Sequence, residues 1–278
     1  MTTQIIPNKE KINNFNEFLS KGSEFTKIYP VTYVLTGSPA YGLADKPFKE
    51  YVGIHILDTS RYLQHPEFKN DLDITRSSYD ENFKPVSEDN KNKSFSITSF
   101  EIWKFISLYL KGSLVVYDTL YLSSVFDSPE MLDVLNNLKK GINNKISISS
   151  KRYALNNWKK DKKDLRKVIM SYYRLLQAIV FLREEQFVSD INDLWQNQKF
   201  NNLIYGRKIY YKFVESNFEK AQLLDSEIAK IADEFQGLID EVNKASIATR
   251  LPDKTSSQTL NPIFDSIIKK RIDLVYQN

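Results

Sequence analysis

The chain contains no cysteine, and that absence removes disulfide frameworks, thiolate metal centres and cysteine nucleophiles together. Histidine is nearly as scarce. His55 and His65 are the whole supply, too few for a histidine-built metal site, and neither sits in a context that pairs it with a serine nucleophile. The eight glycines form neither a Walker loop nor a dinucleotide-binding fingerprint. No apolar run approaches the ~20 residues that a membrane span requires. The opening from Met1 to Glu10 is polar, contains Pro7 and has no secretory pattern. The expectation is a soluble, cytoplasmic protein with no membrane partner.

The 278 residues are 41% hydrophobic, with 17 Phe and 16 Tyr, enough to bury one large core or two modest ones. The net charge of +4 is unevenly spread. Between Lys139 and Leu175 stand twelve Lys or Arg against Asp161 and Asp164 alone. Two readings of that stretch stand open: a surface for nucleic acid or polyphosphate, or a solvated helix face.

Ile12, Phe15, Phe18 and Leu19 predict an amphipathic helix over 8–21, ended by Gly22. The β-branched run Val31–Leu35 predicts a buried strand, and the alternation from Tyr51 to Leu57 a second. A third is expected near Leu72–Arg76, a polar loop over 80–94, and a last strand at Phe95–Thr98. Thr98 and Glu101 have capping-box spacing ahead of a helix that carries Ile102, Phe105 and Tyr109 to Gly112. Another helix covers Leu114–Leu122. Ser128-Pro129-Glu130 signals a helix running to Gly141. Long helical patterns then cover 152–185 and 215–244, the latter with Phe218, Leu224, Ile228, Ile231, Phe235, Leu238 and Val242 near one stripe. A loop at Leu251–Ser257 precedes a final helix from Asn261-Pro262. The fold class expected is α+β, with a small mixed sheet in an α/β domain over 1–127 and a C-terminal helical bundle over 128–278.

The segment richest in chemical meaning is Thr36-Gly37-Ser38-Pro39-Ala40-Tyr41-Gly42, with Tyr51-Val52-Gly53-Ile54 after it. A Gly-Ser turn opening off a strand lets backbone N–H groups approach a phosphate, because glycine puts no side chain in the way. The Ser38 hydroxyl adds a donor, and its alternative role as a helix N-cap is compatible, since a capped helix start is itself an anion site. Tyr41 is expected to pack under the turn.

These residues resemble the nucleotidyltransferase (polymerase-β-like) superfamily, in the branch reading Gly-Ser-x-Ala-Tyr-Gly and then Ser-Asp-x-Asp-x-x-Gly-Ile. Gly37, Ser38, Ala40, Tyr41, Gly42, Gly53 and Ile54 match. Thr98–Lys111, Lys167–Leu176 and Leu251-Pro252-Asp253 are similar to later parts of the family, although a frequent His falls on Ser171. The resemblance implies transfer of a nucleoside monophosphate from an NTP to a hydroxyl, with magnesium ions held by two or three carboxylates.

Those carboxylates are where the chain departs. Counting back from Gly53, the second Asp falls on Glu50 and the first on Phe48, and the third carboxylate falls on Ser96. Glu50 is then the catalytic candidate and a metal ligand. Asp45, or the i, i+2 pair Asp71 and Asp73, completes the metal set if the shortened segment or another strand supplies them. Their plainer readings are a turn residue before Pro47 and a solvated strand end. Nucleotide binding falls on Gly37, Ser38, Tyr41, Lys163 and Lys167, the last two from the basic run Lys159, Lys160, Lys162, Lys163, Arg166 and Lys167. The partners implied are an NTP and, through 139–175, RNA. Trp158 stacks a base or joins the core. The function expected is a nucleotidyltransferase-fold protein, catalytically impaired, that binds a nucleotide or nucleic acid. The alternative is an active transferase acting on an RNA, protein or small-molecule hydroxyl.

Overall fold

Val31, Tyr33 and Val34 are fully buried in strand β1 (Tyr29–Thr36), which leads straight into the Gly-Ser turn. The computed structural model describes residues 29–43, 49–57, 74–80, 85–86, 95–216 and 222–276. The helix expected over 8–21 and the residues Asp45, Phe48, His65, Asp71, Asp73 and Phe218 lie outside them.

The architecture is α+β, a small mixed sheet followed by helices. The strands β2 (Lys49–Ile56), β3 (Ile74–Tyr79), β4 (Pro85–Val86), β5 (Phe95–Glu101) and β6 (Ser124–Asp127) join β1 in the order β4-β3-β5-β2-β1-β6. Only β2 and β5 run parallel, and the other pairs are antiparallel. One sheet face carries Val52, Ile54, Ile56 and Phe100 into the main core. The other carries a smaller cluster of Tyr33, Tyr79, Phe95, Ile97 and Val125. Gly53 sits opposite Tyr33 in the ladder. A Cβ there would come within 2.2 Å of the Tyr33 ring and 2.6 Å of the Thr32 carbonyl, so the ring lies flat only over glycine.

Helix α1 (Ile102–Leu110) begins where β5 ends, later than the capping-box spacing predicts. Thr98 stays in the ladder, paired with Val52 and Arg76, because two strand neighbours outcompete one local cap. Glu101 caps the helix instead. Its fully buried carboxylate accepts the Trp103 N–H at 2.8 Å and an N–H of Arg271. After α2 (Leu114–Tyr121), the four-residue β6 adds an edge to the sheet, too short to show a period in the sequence. Ser128 bonds Tyr29 Oη at 2.6 Å rather than capping, and a 3-10 turn at Pro129–Met131 precedes α3 (Leu132–Lys140).

The single pattern expected over 152–185 is two helices, α4 (Ile146–Asp161) and α5 (Leu165–Glu184). They part at Lys162–Asp164, where the Asp164 carboxylate accepts the Lys167 N–H at 3.1 Å and starts α5. Fifteen of the twenty α5 residues are buried, which makes it the central helix of the second half. It packs against α4, α6 (Ile191–Gln196), α7 (Ile204–Glu215) and α8 (Asp225–Ala248). The short α6 and α7 were not evident from apolar spacing. Along α8 the expected stripe buries Ile228, Ile231, Phe235, Leu238 and Val242, but Leu224 is exposed at its start. Helix α9 (Ser257–Tyr276) starts ahead of Asn261 and carries Pro262 inside it. Among the described residues no helix is long and apolar enough to cross a membrane.

Tyrosines are built into this core as hydrogen-bonded wedges. Tyr109 Oη donates to the Leu138 carbonyl at 3.0 Å and Tyr117 Oη to that of Asn143 at 2.8 Å. Burial pushes the Tyr109 phenol up to about 12 and Tyr117 and Tyr33 higher still. A raised folded-state value means stability is intact below the ordinary phenol value of about 10 and is lost as pH climbs through it. Urea midpoints measured at pH 8 and pH 11 should therefore drop steeply at the higher pH. Tyr117→Phe should lessen that drop, and a pH-independent midpoint would contradict the account.

Candidate functional site

Beyond Thr36 the chain turns on two glycines in the left-handed region, Gly37 (φ 79°) and Gly42 (φ 71°), bracketing a 3-10 turn at Ser38–Tyr41. Ala40 N–H donates to the Gly37 carbonyl at 3.1 Å and Leu43 N–H to that of Ser38 at 2.8 Å, so the turn is internally closed. A carboxylate stands against each glycine. A Cβ on Gly37 would lie 2.8 Å from Glu50 Oε2, and one on Gly42 would lie 2.6 Å from Asp190 Oδ1. Glycine at both positions satisfies the backbone angle and the close approach at once.

Glu50 is exposed near the start of β2. In the sheet it pairs with Thr36 on one side and Ser96 on the other, and Ser96 pairs with Ser78. The row at the turn thus offers one carboxylate among hydroxyl-bearing residues. Ser96, the position where the resemblance expects a third carboxylate, is Glu50's direct neighbour. Among the described residues no group of three or more acidic or histidine side chains is placed to hold a metal ion.

The basic segment reaches the turn at two points, Arg174 from below at Tyr41 and Arg166 at Ser38. Arg166, exposed in the first turn of α5, donates from Nη2 to Ser38 Oγ. Lys163 instead meets Asp225 at 2.9 Å. Lys167 meets Asp161 at 3.1 Å and Asp164 at 3.3 Å, and bonds from those two carboxylates hold its ammonium above the ordinary lysine value. The sequence offered no signal to rank Arg166 above its neighbours, because what distinguishes it is the line from α5 to Ser38. Trp158 stacks on Phe235 with centroids 4.7 Å apart and packs against the core.

Tyr41 packs under the turn as expected, and what it meets there was not legible beforehand. Its hydroxyl donates to Asp118 Oδ2 at 2.8 Å and accepts from Arg174 Nη2 at 2.9 Å. Arg174 grips Asp118 with both terminal nitrogens, at 2.8 and 2.7 Å, and lies over the Tyr41 and Tyr173 rings at 4.7 and 5.1 Å. Gln177 extends the chain of bonds, accepting from Arg174 at 3.0 Å and donating to Tyr173 Oη at 2.8 Å and the Val188 carbonyl at 2.9 Å. Burial and then the Asp118 charge push the Tyr41 phenol well up, so it stays a protonated donor.

No protein-family model matches the chain, and no curated protein matches it. Among solved structures, a nucleotidyltransferase-like protein from Exiguobacterium sibiricum 255-15 aligns with 84% of this chain and 75% of its own length. The identity is 12% and the TM-score 0.32, too loose an overlap to transfer any residue role.

Asp118 and Arg174 are each about nineteen-twentieths buried, so removing one strands the other's charge in the core. Asp118→Ala should cost about 3–5 kcal/mol, and Tyr41→Phe, which loses only a hydroxyl, about 1–2 kcal/mol. Urea denaturation measures both. Equal losses for the two variants would mean the ion pair does not anchor the turn.

Proposed function

We propose that this protein is a nucleotidyltransferase-fold binder of a nucleotide or nucleic acid, with transfer chemistry impaired. The observation that supports it is the meeting of Arg166 with Ser38 at a glycine turn anchored from below by Tyr41. A guanidinium and a serine hydroxyl side by side are suited to phosphate oxygens. The exposed Lys159, Lys160 and Lys162 continue the positive surface at the end of α4 and favour RNA as a second partner. Trp158, stacked on Phe235, is engaged in the core rather than offered to a base.

Magnesium-assisted transfer calls for two ions about 4 Å apart, held by two or three carboxylates. The described residues do not fit a two-ion site, because Glu50 is one carboxylate and its ladder partners are Thr36 and Ser96. Asp45, Asp71 and Asp73 remain the candidates that would restore an active transferase.

Two measurements test the reading. Purified protein with an NTP and magnesium should gain thermal stability, ~2.7 kcal/mol at a ligand concentration a hundred times Kd. Gly37→Trp should abolish the gain, through the positive φ and the lost approach, while leaving the sheet folded. No gain with any NTP at millimolar concentration would sink the proposal. Incubation with labelled NTPs, magnesium or manganese, and a mixed RNA and protein acceptor pool should give little transfer. Robust labelling lost in Glu50→Ala would establish an active enzyme instead, and labelling lost only in Asp71→Ala or Asp73→Ala would place the metal set there.

A further inference from the structure

We infer that the turn takes the polyphosphate of a nucleotide without a metal ion, the Arg166 guanidinium supplying the charge that a divalent cation would otherwise provide. The inference rests on the phosphate-binding reading above and narrows it. A polyphosphate can settle on a protein only if its charge is met there, either by cations held on carboxylates or by the protein's own cations.

Among the described residues the first route is poorly supplied. Across the sheet at the level of the turn the order is Thr36, Glu50, Ser96 and Ser78, with one carboxylate in the row. Asp190, at the far end of the turn against Gly42, is occupied in capping α6 through Asn192, and a single carboxylate beside a phosphate repels it unless a cation lies between them.

The second route is built. Guanidinium is always charged and presents five N–H donors in a planar fork that matches phosphate oxygens. Among the described residues, Arg166 is hydrogen-bonded through Nη2 to Ser38, which leaves the rest of its fork for a ligand. Its neighbours are already balanced, Lys163 by Asp225 and Lys167 by Asp161 and Asp164. Its position is also fixed. Arg166 and Arg174 lie on one helix, about 12 Å apart along its axis. Arg174 is locked to Asp118 and to Tyr41 of the same turn that carries Ser38. The guanidinium and the glycine turn are thus held in one frame before any ligand arrives, so little ordering is left for the binding step.

The two routes assign opposite signs to Glu50, and that decides between them. As a metal ligand it aids binding. Without a metal it is a like charge against the phosphate, and its loss should help. Isothermal titration of the full chain with ATP and with GTP, in EDTA and in magnesium, reads this directly. Affinity in EDTA should match that in magnesium within about threefold, and Arg166→Ala should weaken it about tenfold or more. Arg250→Ala, an exposed arginine away from the turn, should leave it unchanged, and Glu50→Gln should tighten binding in EDTA. Binding that appears only with magnesium, or that weakens in Glu50→Gln, would overturn metal independence while leaving phosphate binding intact. Binding that survives Arg166→Ala unaltered would overturn the role of the arginine. No heat in either buffer, from protein with an unchanged circular dichroism spectrum, would remove the phosphate-binding reading and this inference with it.

Discussion

The Asp118–Arg174 pair, closed by the Tyr41 hydroxyl, is the interaction on which the rest of the arrangement depends. It joins α2, the central helix α5 and the turn after β1 in a single buried contact. Burying two charges is expensive, and their mutual attraction repays the cost only when geometry is tight and the remaining donors find partners. Here the guanidinium uses both terminal nitrogens on the carboxylate, one more bond each on Tyr41 and Gln177 and two aromatic faces, and of its five donors the buried Nε–H alone has no partner among the described residues. An apolar triad of similar volume would hold the helices together as well. It would not fix the rotation of α5 about its axis, and that rotation is what carries Arg166 to Ser38.

The turn itself is shaped by what cannot be placed there. Gly37 and Gly42 both sit at positive φ with a carboxylate oxygen where a side chain would begin. Gly53 plays a different part, lying under the Tyr33 ring on the opposite sheet face from the main core. The matches at Gly37, Gly42 and Gly53 therefore have separate physical reasons. Two keep a backbone bend open and one lets an aromatic ring lie against a strand.

How much of this was legible depended on whether the deciding forces were local. The runs Val31–Leu35 and Tyr51–Leu57 announced β1 and β2, because strand burial writes itself into β-branched and alternating residues. The Gly-Ser turn and the burial of Tyr41 were legible for similar reasons. Thr98 and Glu101 misled, since a capping signal is local while the ladder partners Val52 and Arg76 come from elsewhere in the chain. The break between α4 and α5 lies in a basic run that has no glycine or proline, marked only by Asp164, whose capping role apolar spacing does not single out. Within the site, Glu50 and Ser96 were singled out by the family resemblance, and their adjacency in the ladder came from strand pairing. The choice of Arg166 over Lys163 and Lys167, and the partnership of Asp118 with Arg174, depended on helix packing that spacing alone does not encode.

The attachment of α9 has a consequence for how the chain reaches this state. Arg271 neutralises the buried Glu101 across 170 positions, and Lys270 bonds Glu130 across 140 while lying 3.9 Å over the Tyr29 ring. Two of the links that seal the sheet's helical side are thus among the most distant in sequence. Loop closure of that length must precede the reward from the contacts it makes. A protein this rich in helix would ordinarily be counted among the quick folders. The contacts between its first described strand and its last helix raise its contact order instead, and they are made only once nearly the whole chain has come together.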